Sequence, residues 1–198
     1  MTKRIEVPAA DQTLQLKVTL EETHPPVWRR IQVPASTTLS MFHGILQAAF
    51  GWTGTHLHQF VIGDDERYTD DIEENPEAGD ERGVKLAHVL PARKTGLYYE
   101  YDFGDCWSHR VAVEKILPAD PGGTYPRCLA GKRACPPEDC GGPSGYDELV
   151  TALRDPEHRE HESARTLAGE DFDPEAFDLA VVNQDMRAAG LSKSTRPE

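Results

Sequence analysis

At 198 residues and 22.0 kDa the chain is one ordinary domain, or one with a small appendage, and it is long enough to bury a core without staples. With 38% hydrophobic and 28% charged residues it has a soluble globular composition, and 34 Asp and Glu against 21 Lys and Arg leave a net charge of −13. That balance argues against a protein that tracks nucleic-acid phosphates, no apolar run approaches the roughly 18 residues of a membrane span, and the N-terminus lacks a signal-peptide core, so a cytoplasmic protein is expected.

In chain order, Leu14 to Leu20 alternates apolar and polar residues, the period of a half-buried strand. Pro25 and Pro26 interrupt it, and Val27 to Val33 resumes a strand that pairs antiparallel with the first. Ser36 to Ser40 offers N-caps for a helix carrying Met41, Phe42, Ile45, Leu46, Ala49 and Phe50 on one stripe, and Gly51 stops it. Leu57 to Ile62 reads as a strand. Ten acids against two arginines follow between Asp64 and Arg82, a composition expected of an exposed, mobile loop with little to bury. It lacks the ligand spacing of an EF-hand. Val84 to Leu90 is ambiguous. Leu97 to Phe103 and Arg110 to Ile116 read as strands joined through a turn at Gly104-Asp105, with Trp52, Phe60 and Trp107 expected in the core.

From Pro118 to Gly145 the chain is rich in Pro, Gly and Cys and has little periodicity, so something other than helix or sheet ladders is expected to hold it. Three helices should follow, over Tyr146–Leu153, over Glu157–Leu167, and after Asp173 as N-cap with Phe177, Val181 and Met186 on one side. The layout is α+β, one domain over residues 1–190 with a disordered tail at 191–198.

Two constellations can carry chemistry. Cys128, Cys135 and Cys140 fall within thirteen residues, with Cys106 apart. In a reducing compartment such clustering points to thiols or metal rather than disulfides. Three thiolates and a histidine, His158 or His161, make a tetrahedral zinc shell that would fix the irregular loop; three ordinary thiols tucked against Pro and Gly are the other reading. The basic neighbours Arg127, Lys132 and Arg133 should lower the thiol pKa values. The second constellation is the turn YDFGDCWSH. Asp102, Asp105 and His109, joined by His56 or His58, are the ingredients of acid–base catalysis or of a divalent-metal site. The competing expectation is architectural: Asp105 bonds local amides, His109 faces its strand neighbours, and Arg29 or Arg30 pairs with a carboxylate of the turn.

The runs LKVTLEETHPPVWRRIQVP, FHGILQAAFGWTGTHLHQF, YEYDFGDCWSHRVAVE and CLAGKRACPPEDCGGPSGY, followed by DPEHREH, resemble the Ri-plasmid Orf-3-like family over about Gln15 to Asp178. The resemblance implies an α+β domain with a curved sheet and a possible link to plasmids or mobile elements. It brings no biochemical function with it. An insertion-sequence relative carries a TnpR-type resolvase label, but a serine recombinase needs a catalytic Ser amid an arginine cluster and a DNA-binding tail, whereas this acidic chain ends in a short polar stretch. Two functions follow. One is a non-catalytic accessory module with a structural, zinc-holding cysteine loop and an unidentified protein partner. The other is a metal-dependent hydrolase or nuclease centred on Asp102, Asp105 and His109.

Overall fold

The computed structural model describes residues 8–9 and 11–192. Eight strands form one mixed, open sheet in the order β5-β4-β3-β6-β7-β1-β2-β8. They are β1 (Gln12–Leu20), β2 (Trp28–Pro34), β3 (His58–Ile62), β4 (Glu66–Thr69), β5 (Gly79–Asp80), β6 (Gly96–Tyr101), β7 (Trp107–Pro118) and β8 (Arg127–Lys132). All neighbours are antiparallel except β4 and β5. The β1–β2 pair is the expected one, with Leu16 opposite Ile31 and Lys17 opposite Arg30. Alternation sends Leu14, Leu16, Val18, Ile31 and Val33 into the core. Polar side chains on β1, β2 and β7 bond one another: Gln15 Nε2 donates to Glu114, and Arg30 grips Glu114 with Nε and Nη2 at 2.6 and 2.8 Å.

Helix α1 (Leu39–Phe50) covers the core. Thr38 caps it by accepting the Met41 amide, and Gly51 ends it in the left-handed region at φ 84°. Phe42, Ile45, Leu46, Ala49 and Phe50 face inward as their spacing predicts, while Met41 lies at the solvent edge of the stripe. Full burial of each large side chain contributes about 1.5–3 kcal/mol, so Phe42→Ala is the single change that would loosen this layer most. Trp52, Phe60 and Trp107 are buried as expected.

Elsewhere the structure departs from the sequence reading. The acidic segment is exposed over most of its length, yet it contributes β4, β5 and a 3-10 turn at Glu81–Gly83, and Glu81 is only 1% exposed. Pairing with the edge of β3 supplies what its composition lacks: Thr69 Oγ1 donates to His58 O, and the Glu81 carboxylate meets His58. Val84 to Leu90 holds the short helix α2 (Leu86–Val89). The Pro/Gly/Cys stretch is also held partly by a ladder, because β8 pairs with β2 at the sheet edge. Too few alternating residues lie between Arg127 and Lys132 to announce a strand, and its partner rather than its pattern creates it.

Three helices complete the fold: α3 (Gly142–Arg154), α4 (His161–Ala168) and α5 (Leu179–Ser192). Asp173 is not the cap of the last one. Its carboxylate accepts the Glu175 amide in a turn, and Asp178 does the capping by accepting the amides of Ala180 and Val181. Phe177 therefore precedes the helix, Val181 is exposed and only Met186 is fully buried. Helix α5 continues through Ser192, which removes Leu191 and Ser192 from the expected disordered tail. Residues 193–198 of that tail lie outside the described residues. Among the described residues no helix is long and apolar enough to cross a membrane.

Candidate cation site at the meeting of three loops

Three segments meet at one end of the sheet: the stretch between α1 and β3, the β6–β7 turn, and the loop between β8 and α3. The contacts are specific. Trp52 Nε1 donates to Pro136 O at 3.0 Å, Thr53 Oγ1 to Glu138 Oε2 at 2.7 Å, and Tyr101 Oη to Glu138 Oε1 at 2.5 Å. Asp105 Oδ2 accepts the Gly141 amide. A Cβ on Gly142, whose φ is +69°, would stand 2.4 Å from the Asp105 carbonyl oxygen, so that glycine is what lets the two loops close together. Burial and the contact with Glu138 raise the Tyr101 hydroxyl to about 12, which keeps it a proton donor. Burial alone would raise Glu138, but the bonds from Tyr101 and Thr53 outweigh it and hold this carboxyl below its usual range.

At the centre is His56, its ring edge-on to Tyr101. Its Nδ1 lies 3.7 Å from Asp102 Oδ2 and its Nε2 3.5 Å from Asp139 Oδ1. Nε2 is buried and makes no hydrogen bond. Asp102 is buried and fixed by its other oxygen, since Oδ1 accepts the amides of Gly104 and Asp105. Asp139 is the solvent-facing member, its side chain 74% exposed. Both aspartates hold φ of 57°, a conformation that non-glycine residues adopt at some cost and that clusters at functional positions. Ligand atoms of His56, Asp102 and Asp139 all lie within 4.8 Å of one another, and this is the one such group of three among the described residues. One imidazole and two carboxylates suit Zn²⁺, Mn²⁺ or Fe²⁺, and three protein ligands leave positions open, as in catalytic rather than structural sites.

Of the residues the sequence grouped around this turn, the structure brings His56 to Asp102, with Asp139 in place of Asp105, His109 and His58. Asp105 binds the Gly141 amide instead, joining the turn to the start of α3. His109 is fully buried, donates Nδ1–H to Tyr99 O, and packs edge-on against Phe50 and Trp52. Burial lowers its pKa to about 3 against the pull of nearby backbone carbonyls, so it stays neutral. His58 is buried too. It bonds Glu81 Oε2 at 2.9 Å, faces Asp70 at 3.7 Å, and stacks on the His43 ring at 3.7 Å. Neither arginine reaches the turn: Arg30 pairs with Glu114, and Arg29 bonds backbone carbonyls.

The cysteine set needs a larger correction. All four thiols are free, and Cys128, Cys135 and Cys140 do not converge with His158 or His161 into a metal-sized group. Cys128 points into the core from β8 and bonds Ala130 O. His161 Nδ1 bonds Ala152 O, and His158 Nδ1 accepts the Glu160 amide. The thiols are raised rather than lowered, Cys140 to about 12 and Cys135 well above the ordinary value, because desolvation dominates. The basic neighbours act elsewhere: Arg127 on Gln32, Arg133 on Glu175. Glu138 and Asp139, which the cysteines overshadowed in the run CPPEDCGG, are the residues of that loop that reach the site. Adjacent carboxylates beside a proline pair were the available signal.

The comparisons agree with the architecture. The family model described as plasmid pRiA4b ORF-3-like protein matches residues 12–181. An uncharacterised protein, y4hQ of Sinorhizobium fredii, is 38% identical over 188 residues, covering 92% of this chain and 96% of that one. The crystal structure of MM3350 from Methanosarcina mazei, a protein of unknown function, superposes with a TM-score of 0.80 at 38% identity, covering 87% of this chain and 98% of its own. The eight-stranded sheet, with its YDFGD turn clasped by the CPPEDCGG loop, is that of the plasmid pRiA4b ORF-3-like family, to which this chain belongs.

Proposed function

We propose that the protein acts through a divalent transition-metal ion held by His56, Asp102 and Asp139, and that the ion's open positions activate a water or bound group for hydrolysis. The observation that carries this reading is the convergence of three ligand atoms from three chain segments, one of them an imidazole nitrogen without a hydrogen bond. Asp102, anchored by two amides, is the pre-oriented ligand. Tyr101 and Glu138, joined beside it, supply a proton donor and an acceptor within the same small region. The net charge of −13 favours a substrate other than nucleic acid. Equilibrium dialysis against Mn²⁺ and Zn²⁺ tests the reading. One equivalent should bind, His56→Ala and Asp139→Asn should each abolish it, and metal-loaded protein should cleave members of a panel of p-nitrophenyl esters. Absence of binding, or binding unchanged in both variants, overturns it.

A second reading, an accessory module, is favoured by one observation. Leu57 and Phe103, each next in sequence to a residue of the site, are 50% and 46% exposed, an apolar flank suited to a partner surface. Under that reading the ion would fix the three loops for docking, metal would bind without turnover, and Phe103→Ser would lose the partner while keeping the metal.

A further inference from the structure

Arg29 lies on the opposite face of β2 from Arg30, and it is 3% exposed. Its Nε donates to Ala49 O at 2.9 Å, and its Nη1 donates to Trp28 O and Lys132 O at 2.9 and 3.1 Å. The guanidinium sits between the rings of Phe50 and Phe177, 5.1 and 4.8 Å from their centroids. A cation so deeply buried ordinarily has a carboxylate. Among the described residues Arg29 has none within ion-pair distance, and the groups that bear on it electrostatically are the thiols of Cys135 and Cys128. Its remaining nitrogen, Nη2, makes no hydrogen bond among the described residues, yet it is not one of the sealed, unsatisfied atoms. Arg29 helps to line a cavity of about 230 Å³.

That cavity has a definite chemical layout. Phe50, Phe177, Ala49, Cys135 and Val181 wall it with apolar and polarisable atoms, while Asp178 and Asp185 stand among its lining residues as acids. Asp178 uses Oδ1 to cap α5, and among the described residues its other oxygen makes no hydrogen bond. The pocket also depends on Gly131, where a Cβ would stand 2.5 Å from the Phe177 ring and 2.9 Å from the Arg29 side chain. One cation and two aspartates lining the same cavity oppose phosphate and other dianions, and a lone carboxylate would leave the aspartates unanswered. A molecule carrying both charges answers all three.

We propose that this cavity binds a small zwitterion, a free amino acid with a compact apolar side chain. Its carboxylate meets Arg29 Nη2, its ammonium group meets Asp178 and Asp185, and its side chain packs against Phe50 and Phe177. The site is separate from the cation cluster, so calorimetric titration in EDTA tests it independently of the proposed metal.

The probe is L-leucine, compared with 4-methylpentanoate, which lacks the amine, and 3-methylbutylamine, which lacks the carboxylate. Leucine should bind, with each half-molecule at least tenfold weaker. Val181→Trp, at a wall position 52% exposed, should fill the cavity and abolish leucine binding while leaving the melting temperature of the free protein unchanged. Arg29→Lys should weaken binding at least tenfold; if it fails to fold, Val181→Trp carries the test. Lack of leucine binding at millimolar concentration, undiminished binding in Val181→Trp, or equal binding of 4-methylpentanoate would each overturn the proposal.

Discussion

His56 and His58 are two residues apart, and each has a carboxylate facing each of its ring nitrogens, but they do different work. His58 lies under the acidic segment with Glu81 at 2.9 Å and Asp70 at 3.7 Å, and its side chain is 3% exposed. His56 lies at the sheet end between Asp102 and Asp139, with its side chain 28% exposed. The first arrangement is closed: a single residue fastens β3 to the segment that follows, through its carbonyl to Thr69 and its ring to Glu81. The second has no such bond: Nδ1 stands 3.7 Å from Asp102, and Nε2 makes no hydrogen bond. Burial and access separate architecture from a site, although residue types and local acidity are nearly the same.

The largest expected effect sharpens that difference. His58→Ala leaves Glu81 buried and unpaired, a change that costs about 3–5 kcal/mol, read from urea unfolding. His56→Ala in metal-free buffer should cost about 1 kcal/mol or less by the same measurement, because its partners stay in contact with water. Equal losses would break the comparison.

The pH dependence of stability should come largely from a third histidine. His109 has a folded pKa of about 3 against a reference value of 6.5, so the unfolded chain takes up a proton between these values that the folded chain refuses. Stability from this residue is complete above pH 6.5 and is lost as pH falls towards 3, by an amount on the order of a few kcal/mol. The depressed carboxyl of Glu138 acts in the same direction, with its contribution present above its unfolded pKa and lost as pH falls through the lower folded value. In a series of melts from pH 7 to pH 4, His109→Phe should flatten the acid limb whatever its absolute stability. A slope identical to that of the parent would assign the acid limb to other groups.

A smaller effect comes from metal. Mn²⁺ or Zn²⁺ at about a hundred times its dissociation constant should stabilise the parent by about 2.7 kcal/mol and His56→Ala by nothing, seen as a shift in melting temperature. Stabilisation retained in His56→Ala but lost in His58→Ala would exchange the roles of the two histidines. The smallest effect is a control on the other face of the sheet. Glu114→Gln weakens the two-point grip of Arg30 and should cost about 1 kcal/mol, less at high salt, without altering metal binding.

The sequence by itself determined the elements whose periodicity reports burial. Leu14 to Leu20, the stripe from Phe42 to Phe50 ended by Gly51, and the strands around YDFGD fold as their patterns require, because one face of each must leave water. It also offered His56 as a neighbour of Asp102, but not Asp139. Only the tertiary structure decided the rest. Strand β8 exists because β2 offers it an edge, and Glu81 is buried because His58 waits beneath an otherwise solvated segment. Asp139 joins His56 because Gly142 lets a distant loop close to within van der Waals reach of the turn, while Cys128 on β8 and Cys135 and Cys140 in the loop after it meet neither His158 nor His161 in a metal-sized group. Hydrophobic period is local information, whereas the partner of a charge is set by long-range closure of the chain, and no spacing along the sequence records it.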